Sequence, residues 1–380
     1  MKFTYNLLIT LTCLLVLEVG FRALEHISPP REVDYGLGFD AESQLFTSAD
    51  KTGDAMRTQP AKRESFIDQT FLRTKPGGTF RIVVMGGSSV HYLDPEFTLL
   101  EQELTKSSSP RFKQVEILNG GGHAYGTHRL VPLFHEMLGY EPDLLVLYTG
   151  HNEFEEVEQL NLSHIERLPL DRTLAKSAIL RFIRDRKAAI EISRLEREHN
   201  QRLLKREEPV SDSNYARAWK YPFTRQDVSD RMEQYKRNLT LIIEAASSRH
   251  IPVLIGTVPS NVFNPYLPKE SAAQYREVYQ YWAANDVQSG LELARKILAE
   301  TPGRHQSSDL ENTILHQLAK EHSIPLVDVE SLVVEHEPSG IPGKTLFEDH
   351  CHLNAKGRSV WIAGFKPVIQ EAMRTTVNEE

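Results

Sequence analysis

The chain has 380 residues, 40% apolar and 25% charged, an ordinary globular mixture that suffices for one large core with additions. Its formal net charge of −8 leaves no broad basic field for a phosphate backbone, so nucleic acid is not an expected partner. Two cysteines, Cys13 and Cys351, exclude an intradomain disulfide framework and a cysteine-based metal cluster.

The first predicted element is an apolar leader. After Lys2, the stretch Leu7 to Leu17 is wholly apolar or hydroxylic, and the pattern continues through Glu18 and Arg22 to Leu24. Leu17 to Arg22 offers no pair of small residues for a signal peptidase, and Cys13 lacks the small neighbour of a lipoprotein site. The run is shorter than the roughly 20 residues of a full span, but Glu18 and Arg22 can reach toward headgroups. Residues 1–26 are therefore expected to be a single N-terminal membrane anchor or uncleaved signal, with the remainder periplasmic or extracellular. A cleaved signal and a buried helix are the alternatives.

Residues 27–79 mix Pro29-Pro30, Gly36, Gly38, Pro60 and Pro76-Gly77-Gly78 with charges, which suits a linker that wraps the domain surface. From residue 80 onward, β-rich apolar runs alternate with helical stretches: Arg81 to Met85, Val115 to Leu118, Leu144 to Tyr148, Val253 to Gly256, and Leu326 to Val329. This alternation predicts a parallel sheet covered on both faces. Between the third and fourth runs, a helical insertion is expected at about residues 165–215, dense in Arg, Lys, Glu, Leu and Ile. It reads as a solvated helical pair; the alternatives are a lid or a surface resting on anionic headgroups. Asp227 to Arg249 reads as a crossover helix, with Met232, Tyr235, Leu239, Ile242 and Ile243 on one face. Residues 279–302 look like one degenerate tetratricopeptide unit, which cannot bury its own face and must pack on the main domain. The sequons at Asn161 and Asn238 are taken as chance.

In an open parallel sheet, ligands bind beyond the carboxyl ends of the strands. There the chain carries Gly86-Gly87-Ser88-Ser89, Asn119-Gly120-Gly121-Gly122, Gly150-His151-Asn152-Glu153 and, after the fifth run, Asp349-His350-Cys351-His352-Leu353-Asn354. Alone, each has a plainer reading. The serine block can be a turn with a helix cap, the glycines a loop, the third block a capping box, and Cys351 a small buried residue. Ser89 is expected to cap or pack and His350 to be the weaker base, while His151 and Glu153 are candidates for supporting parts. Asp349, His350 and His352 with His123 or His151 also invite a metal reading, but Asp-x-x-His has a sufficient role without one. No metal and no cofactor is called for.

Taken together and in order, the four blocks resemble the SGNH (GDSL-like) hydrolases, whose marker Ser, Gly, Asn and His follow successive strands. Ser88 matches the serine block in a Gly-Gly-Ser variant, Gly87 standing where the family motif has an acid. Gly121 matches the second block, Asn152 the third, and Asp349 and His352 the terminal pair. The resemblance covers roughly residues 80–373, within a hydrolase domain expected at 80–376. It implies a three-layer α/β/α sandwich with a five-stranded parallel sheet in flavodoxin-like order, and hydrolysis of esters through an acyl-enzyme.

The residue types meet the demands of that chemistry. A serine hydroxyl needs a base at hydrogen-bond distance, and His352 oriented by Asp349 supplies one. The oxyanion needs fixed donors, expected from the Ser88 N–H, the Gly121 N–H and the Asn152 side-chain amide. The expected substrate is an extracytoplasmic ester on a small molecule, a lipid or a glycan such as O-acetylated polysaccharide. Two alternatives are an O-acyltransferase of an envelope polysaccharide and a non-catalytic scaffold built on the repeat-like unit.

Overall fold

In a computed structural model of the protein, residues 2–27, 44–63, 65–107, 111–160, 177–180, 182, 183, 186, 223–343 and 345–378 are described. The chain divides into two units: Met1–Ser43 with Leu160–Ser213, and Gln44–Gln159 with Asn214–Glu380.

In the first unit, α1 (Lys2–Ile27) presents apolar side chains around its circumference. Tyr5–Glu25, 21 residues, is long and apolar enough to cross a membrane by length and composition. Of the predicted insertion, residues 177–180, 182, 183 and 186 are described, and the rest lies outside the described residues.

The second unit contains the predicted three-layer α/β/α sandwich. Its first strand, interior to the sheet, is β4 (Thr79–Gly86), in which every residue is buried, so the strand reads as a near-continuous apolar run rather than an alternation. An antiparallel sheet precedes it, formed by β1 (Phe46–Ser48), β2 (Ala55–Thr58) and β3 (Thr70–Leu72), within the stretch read as a wrapping linker. The exception to apolarity in β4 explains how that small sheet is held. Arg81 is buried and donates to the carbonyls of Leu72 and Arg73 beside β3, and to Glu116 at 2.6 Å. These charge-assisted bonds satisfy a guanidinium whose burial would otherwise be costly.

β4 pairs in parallel with β5 (Gln114–Gly121) on one side and β6 (Leu144–Tyr148) on the other. β7 (Val253–Gly256) and β8 (Leu326–Val327) complete the five-stranded order β5-β4-β6-β7-β8. This is the flavodoxin-like order, in which the chain reverses direction across the sheet beside its first strand. The register aligns Gly86 with Gly121 and Tyr148, so β4, β5 and β6 end together at that switch point. β5 runs further than its apolar run suggests, because Asn119, Gly120 and Gly121 still pair with β4. β8 is shorter, because Asp328 caps the following helix.

Two helical layers cover the sheet. In one, α3 (Asp94–Ser107) and α10 (Val329–His336) pack on α11 (Ala355–Asn378), whose Trp361 and Phe365 stack at 4.0 Å between ring centroids. In the other, α4 (Thr127–Met137) and α9 (Asp309–Glu321) pack on α6 (Arg225–Ser247). α6 begins with a capping box between Thr224 and Asp227, and the predicted face of Met232, Tyr235, Leu239, Ile242 and Ile243 is buried. The repeat-like unit is a helical pair, α7 (Lys269–Ala283) and α8 (Val287–Glu300), whose Tyr275, Val278, Ala294, Ile297 and Leu298 form a small core together with Val262, Leu267 and Ile341 from outside the pair.

Candidate active site

Beyond the end of β4, Gly87 turns the chain into the short helix α2 (Ser88–His91), which leaves Ser88 buried at the first helical position. First-turn amides of a helix have no partner within it. Gly87 has negative φ, so space rather than backbone conformation calls for glycine. A Cβ there would lie 2.1 Å from Asn152 Nδ2. An aspartate at this position is therefore incompatible with the Asn152 amide as it stands, which accounts for the Gly-Gly-Ser form.

Asp349 and His352 sit on a turn just ahead of α11. Asp349 Oδ1 accepts from the amides of Cys351 (2.9 Å) and His352 (2.8 Å), closing the turn, while Oδ2 accepts from His352 Nδ1 at 2.6 Å. With Nδ1 carrying the proton, Nε2 is the acceptor, and it lies 2.7 Å from Ser88 Oγ. Burial works to raise the Asp349 carboxyl, yet the His352 hydrogen bond and charge with the two amides hold it well below the usual carboxylate range. The carboxylate is therefore ionised at neutral pH and orients the imidazole. The Tyr92 ring stands edge-on to His352 at 4.7 Å, limiting its movement.

Asn152 precedes α5 (Glu153–Leu160), and its Nδ2 donates to the Tyr125 carbonyl at 3.1 Å, leaving that amide a second proton. The start of α5 is held by buried charges. Glu156 accepts from the amides of Gly126 (3.0 Å), His128 (3.1 Å) and Arg129 (3.1 Å) at the start of α4, and from the Arg129 guanidinium (2.8 Å). Glu153 accepts from Thr127 and Arg231. The supporting part expected of Glu153 is thus structural, tying α4, α5 and α6 together behind Asn152.

Gly121 differs from its predicted role. Its N–H donates to Asn119 Oδ1 at 2.9 Å, so it is engaged within the chain and is not held ready for an oxyanion. Its need for glycine is a close approach, since a Cβ would lie 2.2 Å from the His91 amide nitrogen under α2. The structure thus brings Ser88, Asp349, His352 and Asn152 together, while Gly121 supports α2 from beneath.

His350 donates from Nε2 to the His305 carbonyl at 3.1 Å, away from Ser88, and burial lowers it to about 4. His151 accepts at Nδ1 from the Ser307 amide (3.0 Å), and burial lowers it to about 3. Burial also lowers His91, to about 4, and His123. These rings are neutral at pH 7. Ser89 Oγ is buried without a hydrogen-bond partner among the described residues.

Asp349, Cys351 and His352 offer ligand atoms within 4.8 Å of one another. The donor set fits a metal poorly. Both His352 nitrogens already face Asp349 and Ser88, and burial, then the Asp349 charge, pushes the Cys351 thiol well above its ordinary value, away from the thiolate a metal binds.

One contributor was missed in the sequence. Asn261, buried after β7, donates from Nδ2 to the Asp349 carbonyl (2.8 Å) and from its amide to the His350 carbonyl (3.0 Å), clamping the turn that carries the acid and the imidazole. Its signal in the sequence is its place in the segment after the fourth apolar run, where Thr257, Ser260 and Asn261 are the polar residues.

No family model and no curated protein matches the chain. Among solved structures it is similar to a GDSL-like lipase from Bacteroides thetaiotaomicron, at 12% identity over 77% of this chain and 88% of that one, with TM-score 0.39. It is also similar to a catalytic mutant of an acetylxylan esterase from Geobacillus stearothermophilus, at 11% identity, 78% and 96% coverage, and TM-score 0.38. A third is a member of the lipolytic G-D-S-L family from Veillonella parvula, at 13% identity, 76% and 97% coverage, and TM-score 0.35.

Proposed function

We propose that the protein is an SGNH-type serine esterase, anchored to a membrane by α1, that hydrolyses an extracytoplasmic acyl ester through an acyl-enzyme. The observation that carries this reading is the unbroken hydrogen-bonded chain from Asp349 Oδ2 through His352 to Ser88 Oγ, at 2.6 and 2.7 Å. Ser88 Oγ attacks the ester carbonyl carbon while its proton passes to His352 Nε2, and Asp349 stabilises the imidazolium that results. The negative charge that develops on the carbonyl oxygen is met by the Ser88 N–H and the second N–H of Asn152. Collapse expels the alcohol, which takes the proton from His352. Water then discharges the acyl group by the same steps in reverse, the imidazole acting as base again.

Gly121 is left out of the donor set because Asn119 occupies its amide. The substrate class we favour is an envelope or extracellular ester, such as an O-acetylated polysaccharide, on the strength of the N-terminal apolar helix. The test is covalent labelling of the full chain with a fluorophosphonate probe. Labelling lost in Ser88→Ala and kept in Ser89→Ala supports the reading; labelling that survives Ser88→Ala removes it. The fate of the acyl group separates hydrolysis, in which water discharges it, from transfer, in which only a glycan does.

A further inference from the structure

Glu18 is the one acidic residue between Tyr5 and Leu24, and it lies seven residues, about 10 Å of helix, before the end of the apolar span at Glu25. A carboxylate at that depth is costly unless it is paired. Its partners are supplied by a segment some 160 residues away in sequence. Glu18 accepts from Ser177 Oγ (2.8 Å), the Ala178 amide (2.9 Å) and the Ile179 amide (3.3 Å), with Arg22 Nε at 3.0 Å from the same helix. Residues 178–180, 182, 183 and 186 are helical, so Glu18 meets the opening amides of that helical stretch, which have no partner within it. One turn further along α1, the rings of Phe21 and Phe182 meet at 4.7 Å between centroids, and the Arg186 guanidinium lies over Phe182. Glu18, Phe21 and Glu25 share one face of α1 and are half-buried, whereas most of the helix is exposed.

We infer that α1 is retained on the mature protein and holds Ser177–Leu180, Phe182 and Ile183 at the membrane interface, where Leu180 and Ile183 bind the lipid surface. This rests on the reading of α1 as an anchor and extends it. Removal of the leader would strip Glu18 from the Ser177–Ile179 donors and Phe21 from Phe182. Leu180 and Ile183 are 38% and 46% exposed, two apolar side chains one turn apart beside an exposed apolar helix. The occupant is lipid rather than protein because the turn of α1 ahead of Glu18 is exposed around its whole circumference: Leu14, Leu15, Val16 and Leu17, successive around the helix, are each at least half exposed. A protein partner covers one face, and only an apolar phase covers all of them.

The test uses the full chain, in a Cys13→Ser background, expressed with its leader and reconstituted in phosphatidylcholine/phosphatidylglycerol vesicles. The intact mass should include residues 1–27, the Phe21→Cys/Phe182→Cys pair should form a disulfide, and a fluorophore on Leu180→Cys or Ile183→Cys should be quenched severalfold by brominated lipid. A chain released without its leader overturns both the anchor and this inference. A membrane-bound chain with its leader intact, but with no cross-link and no quenching, overturns the inference alone.

Discussion

Replacing Gly87 by alanine isolates the contribution of the Asn152 amide. The new Cβ falls 2.1 Å from Asn152 Nδ2 and 3.0 Å from the Tyr125 carbonyl oxygen. Ordinary contact lies near 3.5 Å, so the amide must retreat by roughly 1.4 Å. That movement breaks its 3.1 Å bond to Tyr125 and takes the donor out of line with the carbonyl oxygen of a bound ester. Removal of one such donor lowers turnover by about 10²–10³, or about 2.7–4 kcal/mol of transition-state stabilisation. Stability should suffer less, by about 1–3 kcal/mol at most, because the displaced group is the tip of a side chain and the backbone at 87 accepts a Cβ at its negative φ. Turnover of p-nitrophenyl acetate beside thermal unfolding separates the two effects. Asn152→Ala should show a similar loss of turnover, and the Gly87→Ala/Asn152→Ala double variant should be little worse than either single one. Wild-type turnover in Gly87→Ala, or losses that add in the double variant, would refute the assignment of Asn152 as a donor.

Three further outcomes follow from the geometry. Asn261→Ala removes the side-chain half of the clamp on the Asp349–His352 turn, the Nδ2 bond to the Asp349 carbonyl, and keeps the backbone bond to His350, so kcat should fall by about 10-fold with KM little changed, checked by steady-state kinetics on the same ester. His128 and His151 are buried and lowered by that burial to about 4 and about 3, against about 6.5 when unfolded. Above pH 6.5 neither ring binds a proton in either state, but below it the unfolded chain does. Stability should therefore fall by about 1.4 kcal/mol per pH unit for each ring, about 2.7 for the pair, down to roughly pH 4, and the part of the slope lost in His128→Gln/His151→Gln, from denaturant unfolding at pH 7, 6 and 5, separates this pair from the other lowered rings. Gly290→Ala places a Cβ 2.2 Å from Trp282 Nε1 between α7 and α8, and thermal unfolding should show a loss of about 1–3 kcal/mol with turnover unchanged.

The five sheet runs were legible because central parallel strands must be apolar on both faces, a condition β4 meets at nearly every position. Where the strands end was less so. Gly120 and Gly121 read as loop, yet Met85 and Gly86 pair with them, and pairing is a property of the partner strand rather than of glycine. β8 stops early because Asp328 accepts from the Ser331 amide and starts α10, a capping signal that the apolar run masked. The small sheet of β1, β2 and β3 was not legible at all. Its strands are three or four residues long, and β3 is held from a distance by the Arg81 guanidinium, whose partners no local pattern predicts.

At the candidate site the same division applies, and it turns on what the backbone does locally. Ser88 and Asn152 were legible because each lies within four residues of the end of an apolar run, where parallel sheets leave their clefts, and the Asp349–His352 turn was legible by its Asp-x-x-His spacing further downstream. Gly121 occupies an equivalent place, but which way its amide is engaged depends on the Asn119 side chain two residues earlier. The choice between His350 and His352 was legible for a physical reason. A carboxylate at position i can accept from the amides at i+2 and i+3 with one oxygen while the other takes the imidazole at i+3, as Asp349 does with Cys351 and His352. The imidazole at i+1 is excluded from that closed turn, and His350 instead bonds to the His305 carbonyl while its own carbonyl accepts from Asn261. The spacing Asp-x-x-His therefore specifies both a backbone turn and the orientation of one ring, and lengthening it by a single residue would separate the carboxylate from either the amides or the imidazole.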